Sequence, residues 1–413
     1  MKKFDKDKYL KNLKFKRNLT KYGKYFYIGV PCVLAVVAGI YFAYSKFTVS
    51  KDAEVVKTTV GEFIHGDVVI GAYINGEYSN TIPGKNDGYA VKSVSCDNNA
   101  TGSWDNDSWG IVLTNMTKRT KCNIYFETKK PSLNEAITTA MSNNPSMFAS
   151  DDPGKNVRYI GANPNNYVYF NCSDYSNPTA NTCELWRIIG VFNNVTKRDG
   201  TKENLVKIIR DESIGNIAWD DNNVNDWSTA TLQQNLNSGT YYTTTLKNDT
   251  TRNAIEEVVW NLGGTGSYTS ASNGLASHFY GYERGTTVYS GRPTTWTGKI
   301  GLMYPSDYGY ATSGGTTKDR AACLAKELYN WDSSEFSDCK GNDYLFDANN
   351  AQWTLAPFSA GAYVVFLVDA GGCVLSYGAG ITSAVRPALF LKSNIQVDKG
   401  TGAKSDPYTL KMQ

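Results

Sequence analysis

Residues 353–393 read WTLAPFSAGAYVVFLVDAGGCVLSYGAGITSAVRPALFLKS, and their composition departs from that of the rest of the chain. From Thr354 to Ala384 there are 31 residues and one charge, Asp369, where a chain that is 20% charged predicts about six. Glycine and alanine alternate with Phe358, Tyr363, Leu367, Leu375, Tyr377 and Ile381, and Lys, Glu, Gln, Met and Trp are absent. A codon whose first two bases vary freely while the third stays C encodes every residue type except those five. Local physics reads the stretch as short strands. Phe366, Val368 and Val374 share one parity, which points Leu367, Asp369, Cys373 and Leu375 to the opposite face. An ordinary glycine-rich core hairpin fits the same letters.

The frame, a Trp353-Thr-Leu-x-Pro357 start and a Val385-Arg-Pro-Ala-Leu389 end, resembles the variable region of diversity-generating retroelement target proteins. Those carry C-type-lectin-type or formylglycine-generating-enzyme-like domains. The resemblance implies a fixed framework of Trp353, Leu355, Pro357, Val365, Phe366, Val368, Gly372, Val374, Ala379, Val385, Arg386 and Pro387. It assigns ligand binding to the interleaved, diversified positions: Phe358, Ala360, Gly361, Tyr363, Val364, Leu367, Asp369, Gly371, Cys373, Leu375, Ser376, Tyr377, Gly378, Gly380, Ile381, Thr382 and Ser383. All belong to the permitted residue set. Residues 283–296, ERGTTVYSGRPTTW, and 301–312, GLMYPSDYGYAT, resemble a recurring signature of Firmicutes surface domains that end in the same Val-Arg-Pro motif. The implied partner is an unidentified protein or glycan on another cell, a phage or a host.

At the other end, residues 1–24 carry ten Lys/Arg against Asp5 and Asp7, a net charge of +8. Residues 25–46 follow, uncharged up to Ser45 and mostly apolar, long enough to cross a bilayer and bearing Tyr25, Tyr27, Tyr41 and Tyr44 where an aromatic belt sits. Basic residues ahead of such a span predict a signal anchor in a bacterial plasma membrane, with a single pass and the remaining domains extracellular. A cleavable signal peptide is the alternative, opposed by the long basic region and the lack of a small-x-small site. Cys32 reads as a buried apolar residue, since Pro31 precedes it and the apolar run continues beyond it. Beyond residue 46 there are 31 basic and 37 acidic residues, so the basic balance belongs to the tail and indicates no nucleic-acid partner.

Export agrees with the cysteines. Apart from Cys32 and Cys373, six cluster two by two, and local disulfides Cys96–Cys122, Cys172–Cys183 and Cys323–Cys339 are the economical pairing. Free thiols are the alternative. Neither a CxxC motif nor more than two histidines, His65 and His278, supports a zinc site.

Between the ends, residues 51–127 alternate apolar and polar residues around an Asn75-Gly76 turn, predicting a small all-β sandwich that acts as a spacer. Residues 128–156 read as a helical linker, with a Ser132-Leu-Asn-Glu135 capping box. A C-type-lectin-type domain of α+β class spans 157–395, and 396–413 form a C-terminal tail of one strand and glycines. Helices are expected after Ser228, after Asp249 with Ile255, Val258, Val259 and Leu262 on one stripe, and after Asp319.

Catalytic signals are weak throughout. Residues 220–226, DDNNVND, hold six Asp/Asn in seven between Trp219 and Trp227 and suit a hard cation, resembling part of a lectin calcium motif. The Glu-Pro-Asn or Gln-Pro-Asp partner of that motif is missing, so an Asx-bonded turn is the preferred reading. Glu256, Glu257 and Glu283 suggest paired carboxylates only weakly, and no redox cysteine pair, nucleophile elbow or phosphate loop is present. The sequence therefore predicts a binding protein without cofactor or metal, not an enzyme.

Overall fold

The computed structural model describes Lys11 and residues 56–58, 68–116 and 119–412. The span expected at residues 25–46 lies outside them, and among the described residues no helix is long and apolar enough to cross a membrane. The chain divides into two compact units, Met1–Lys129 and Lys130–Gln413.

The first unit has two sheets that share one apolar cluster. Gly110–Thr114 lies between Val56–Thr58 and Thr101–Asp105 in one, and the other runs in the order Glu77–Ser79, Val68–Ile74, Thr120–Thr128, Tyr89–Cys96. Ile111 and Leu113 from the first meet Ala72, Ile124 and Phe126 from the second, all buried. Asn75 and Gly76 both adopt positive φ, 50° and 92°, as a tight hairpin turn requires, and so join Ile74 to its partner Glu77. Cys96 faces Cys122 directly across two antiparallel strands, and the two form a disulfide.

The second unit is built on a seven-stranded sheet whose centre is Glu184–Thr196. From Trp186 to Phe192 that strand is buried without a break, the pattern of a strand covered on both faces. It pairs with Lys202–Arg210 on one side and with Val157–Tyr159 and Tyr167–Phe170 on the other. Gly190 is obligatory here because a Cβ would collide with the Val157 carbonyl. Ser132 caps the Leu133–Asn143 helix through both arms of the capping box, and Leu133 and Ile137 are buried in this unit's core. Residues 396–411 are likewise folded in. Gln396–Lys399 pairs with Thr409–Lys411, Tyr408 N donates to the Tyr167 carbonyl and the Tyr408 carbonyl accepts from Tyr169 N, and Leu410 fills the core.

The expected α+β, C-type-lectin-type class is corrected by the architecture, which is mostly β, 36% strand against 17% helix, in several small sheets. The helical stripes are cut short. The helix after Asn248 ends at Ala254, and Val258–Asn261 becomes a strand paired with Thr295–Gly298. Val258 and Val259 are β-branched and stiff at χ1, so an available strand partner wins them. The helix that Asp319 caps covers only Arg320–Leu324 before the chain turns. Disulfides Cys172–Cys183 and Cys323–Cys339 are both present, and Cys373 is free and buried.

Candidate ligand-binding surface

A second sheet in this unit runs in the order Asn216–Ala218, Thr382–Ala384, Gln352–Pro357, Val364–Val368, Val374–Gly378. All twelve framework positions, from Trp353 to Pro387, are buried. Of the seventeen interleaved positions, Ala360, Tyr363, Tyr377, Gly380, Ile381 and Thr382 are exposed. Phe358, Gly361, Val364, Asp369, Gly371, Leu375, Ser376 and Gly378 are half-buried.

Three positions depart from the expected surface placement, Leu367 and Cys373 from strand parity and Ser383 from the set the resemblance implied. Leu367 is 2% exposed, Cys373 3% and Ser383 5%, so none presents a surface. Alternation assumes one face in water, whereas Val365–Val368 is covered on both. The Asp369–Cys373 turn is pinned from outside by Tyr308, whose hydroxyl donates to the Gly372 carbonyl at 2.9 Å, and by Lys340, whose Nζ donates to the Gly371 carbonyl. Gly372 takes φ 88° in this turn, which explains glycine in the framework. Burial pushes the Cys373 thiol up to about 12, which leaves it protonated and inert. The Ser383 hydroxyl is spent on the Ala351 carbonyl at 2.7 Å.

The open end of the hairpin is different. Val365 pairs with Tyr377, and Val364 with Gly378. Ala379 N donates to the Tyr363 carbonyl at 2.7 Å, and Ile381 N to Gly378 at 3.2 Å, so Tyr363, Tyr377 and Ile381 occupy adjoining positions. They are 54%, 45% and 44% exposed, three of the six large hydrophobic residues exposed among the described residues. Tyr329, also exposed, belongs to the other face of the hairpin, the one that carries Phe366 and Ser376. Its ring meets Tyr268 at 5.8 Å, and the Tyr268 hydroxyl pairs with Ser376 Oγ at 3.0 Å. Phe358 and Phe366 complete the aromatic packing around Tyr268, at 6.0 and 4.9 Å.

Residues 220–226 hold this end in place. Asn225, buried, donates from Nδ2 to the carbonyls of Phe358, Gly361 and Val364 at 3.1, 2.7 and 3.0 Å, and its backbone N donates to Ala362 at 3.1 Å. Asn223 Oδ1 accepts from Gly380 N at 2.8 Å, and Asp220 N donates to the Ala379 carbonyl at 3.0 Å. The Asp220 carboxylate is consumed by Val224 N and Thr231 N. Arg292 adds bonds to Asn225 Oδ1 and the Ala362 carbonyl, both at 3.3 Å. Every bond from this bracket to the interleaved segment reaches a main-chain atom, so it survives replacement of the side chains there.

The Asx-bonded turn was foreseen; its role as the clamp on a loop more than a hundred residues away was not. The only local signal was the density of short side chains that bond backbone. Among the described residues no cluster of His, Cys, Asp and Glu is arranged to hold a metal. The three glutamates do not act together: Glu257 pairs with Arg198 at 2.9 Å, while Glu283 is buried against Ser306 and Arg284. No family model, curated protein or solved structure matches this chain.

Proposed function

We propose that the chain is a bacterial cell-surface binding protein in which residues 358–382 display a diversified ligand surface on an invariant backbone. The observation that carries this reading is the division of burial. All twelve framework positions are buried, against three of the seventeen interleaved ones. The clamp from residues 220–226 supports it further, because it bonds only main-chain atoms of the segment and so tolerates side-chain replacement. Tyr363, Tyr377 and Ile381 form an uncharged, largely aromatic patch, the composition that supplies binding hot spots against a protein partner. Three disulfides favour an extracytoplasmic location, with the basic and apolar N-terminal residues at the membrane.

A second reading, a fixed adhesive envelope protein, draws support from the burial of Leu367, Cys373 and Ser383, which a randomised codon would place in the core. Sequencing the gene from many clones of one strain separates the two. Diversification predicts replacements concentrated at the fourteen positions that are not buried, none of them to Lys, Glu, Gln, Met or Trp. One invariant sequence, or changes spread evenly along the gene, sinks the first reading.

A further inference from the structure

Away from the proposed variable face, the second unit contains a cavity of about 250 Å³ between the central sheet and the Val258–Asn261 strand. None of its lining residues belongs to the interleaved segment. Trp260 and Tyr304 give it an apolar wall, and Asn194, Asn261, Tyr280 and Arg284 supply polar groups. Its volume lies just below the usual range for drug-sized ligands, which suits a small metabolite.

Arg284 is fixed in a way that presents half of its guanidinium. Its plane lies 3.5 Å over the Tyr280 ring, and Nη1 donates to the Tyr280 carbonyl at 3.1 Å and to Glu283 Oε2 at 2.9 Å. Among the described residues, Nε and Nη2 of Arg284 and the side chains of Asn194 and Asn261 make no hydrogen bond. Below, Lys207 is fully buried, with Nζ 2.6 Å from Asp307 Oδ2 and 4.5 Å from the centre of the Tyr304 ring. Asp307 is shared with Arg158, which also binds Asp152. Three cations, Arg158, Lys207 and Arg284, therefore face three carboxylates, Asp152, Asp307 and Glu283. Burial pushes Glu283 up to about 7 and Lys207 down, so neither sign is in excess within the cluster. A ligand charge is then met by the one planar edge of Arg284, which suits a single carboxylate.

We propose that this cavity binds a small molecule carrying one carboxylate, gripped by the Nε–Nη2 edge of Arg284, with Asn194 and Asn261 taking neutral hydroxyl or amide groups. A planar guanidinium with one edge free matches a carboxylate bidentately, which an ammonium cannot do. The inference stands independently of whether residues 358–382 vary.

The test is titration calorimetry on the full chain with gluconate and glucuronate as probes, and with glucose and inorganic phosphate as controls. The expected result is saturable binding of at least one carboxylate at millimolar concentration or below, weakened at least tenfold in Arg284→Lys and several-fold in Asn261→Ala. Tyr377→Ala, on the variable face, leaves the affinity unchanged. Melting curves without ligand show which variants fold, and if Arg284→Lys does not, Asn261→Ala and Asn194→Ala carry the test. Absence of saturable carboxylate binding, full affinity in the folded pocket variants, or preference for phosphate each overturns the assignment.

Discussion

Replacing Asn225 with alanine tests the clamp directly. Its amide has two hydrogens serving three carbonyls, at 2.7 to 3.1 Å, from a side chain that is 2% exposed. Net hydrogen bonds of this kind contribute about 1 kcal/mol each, and an acceptor left buried and unpaired costs a further 1–3 kcal/mol. Phe358, Gly361 and Val364 are half-buried residues, so the lower part of that penalty applies. The sum is a destabilisation of roughly 2–4 kcal/mol, or roughly 4–16 °C in melting temperature for a domain of this size. Asn225→Asp keeps the volume but turns an oxygen toward three carbonyls, and the nearby Arg292 offsets only part of that repulsion. It is expected to cost at least as much as alanine. Thermal and urea melts give the magnitude, and amide exchange at residues 358–364 locates the loss. A change below about 0.5 kcal/mol with unchanged exchange refutes the clamp, and an Asp variant clearly more stable than the Ala variant refutes the donor role.

Two further outcomes follow from burial and charge. Phe366→Ala removes a fully buried ring and should cost about 3–5 kcal/mol, whereas Tyr377→Ala should stay within about 0.5 kcal/mol in the same urea melts; equal losses would place Tyr377 in the core. Glu283 is raised by burial from 4.5 to about 7, and Asp343 is also pushed well up by burial, so both bind protons more tightly in the folded than in the unfolded chain. Their contribution is complete below the unfolded carboxylate range and is lost as pH rises through the folded values, about 3 kcal/mol for Glu283 alone. Asp307 behaves oppositely. Against its own burial, Lys207 and Arg158 hold it far below the usual range, so its contribution is lost only in strong acid. Lys207, pushed down by burial, acts in the opposite sense, so the Glu283 share is read as a difference: from about pH 5 to about pH 8 the wild type should lose more stability than Glu283→Gln, and an equal pH dependence of the two melting temperatures contradicts the assignment.

Part of the second sheet was marked by local chemistry. Strand alternation marked Phe366, Val368 and Val374, and the resemblance of the frame implied the rest of the framework of residues 353–387; every framework position is buried. The Asn75-Gly76 turn, the Ser132 capping box and the three disulfide pairs were readable for a similar reason, since each is made by residues close in the chain or fixed by a backbone angle. What failed was whatever depended on a distant partner. The apolar spacing from Ile255 to Leu262 fits a helix until Thr295–Gly298 offers a strand edge. Leu367 and Cys373 have surface parity, and they are buried because segments near Tyr308 and Lys340, remote in sequence, close over that end of the hairpin. Asn225 and Arg284 look like ordinary polar residues in the sequence. Tertiary structure alone carries Asn225 to three carbonyls of a far loop and leaves one edge of Arg284 free in a cavity, because hydrogen-bond geometry is set by positions in space and not by separation along the chain.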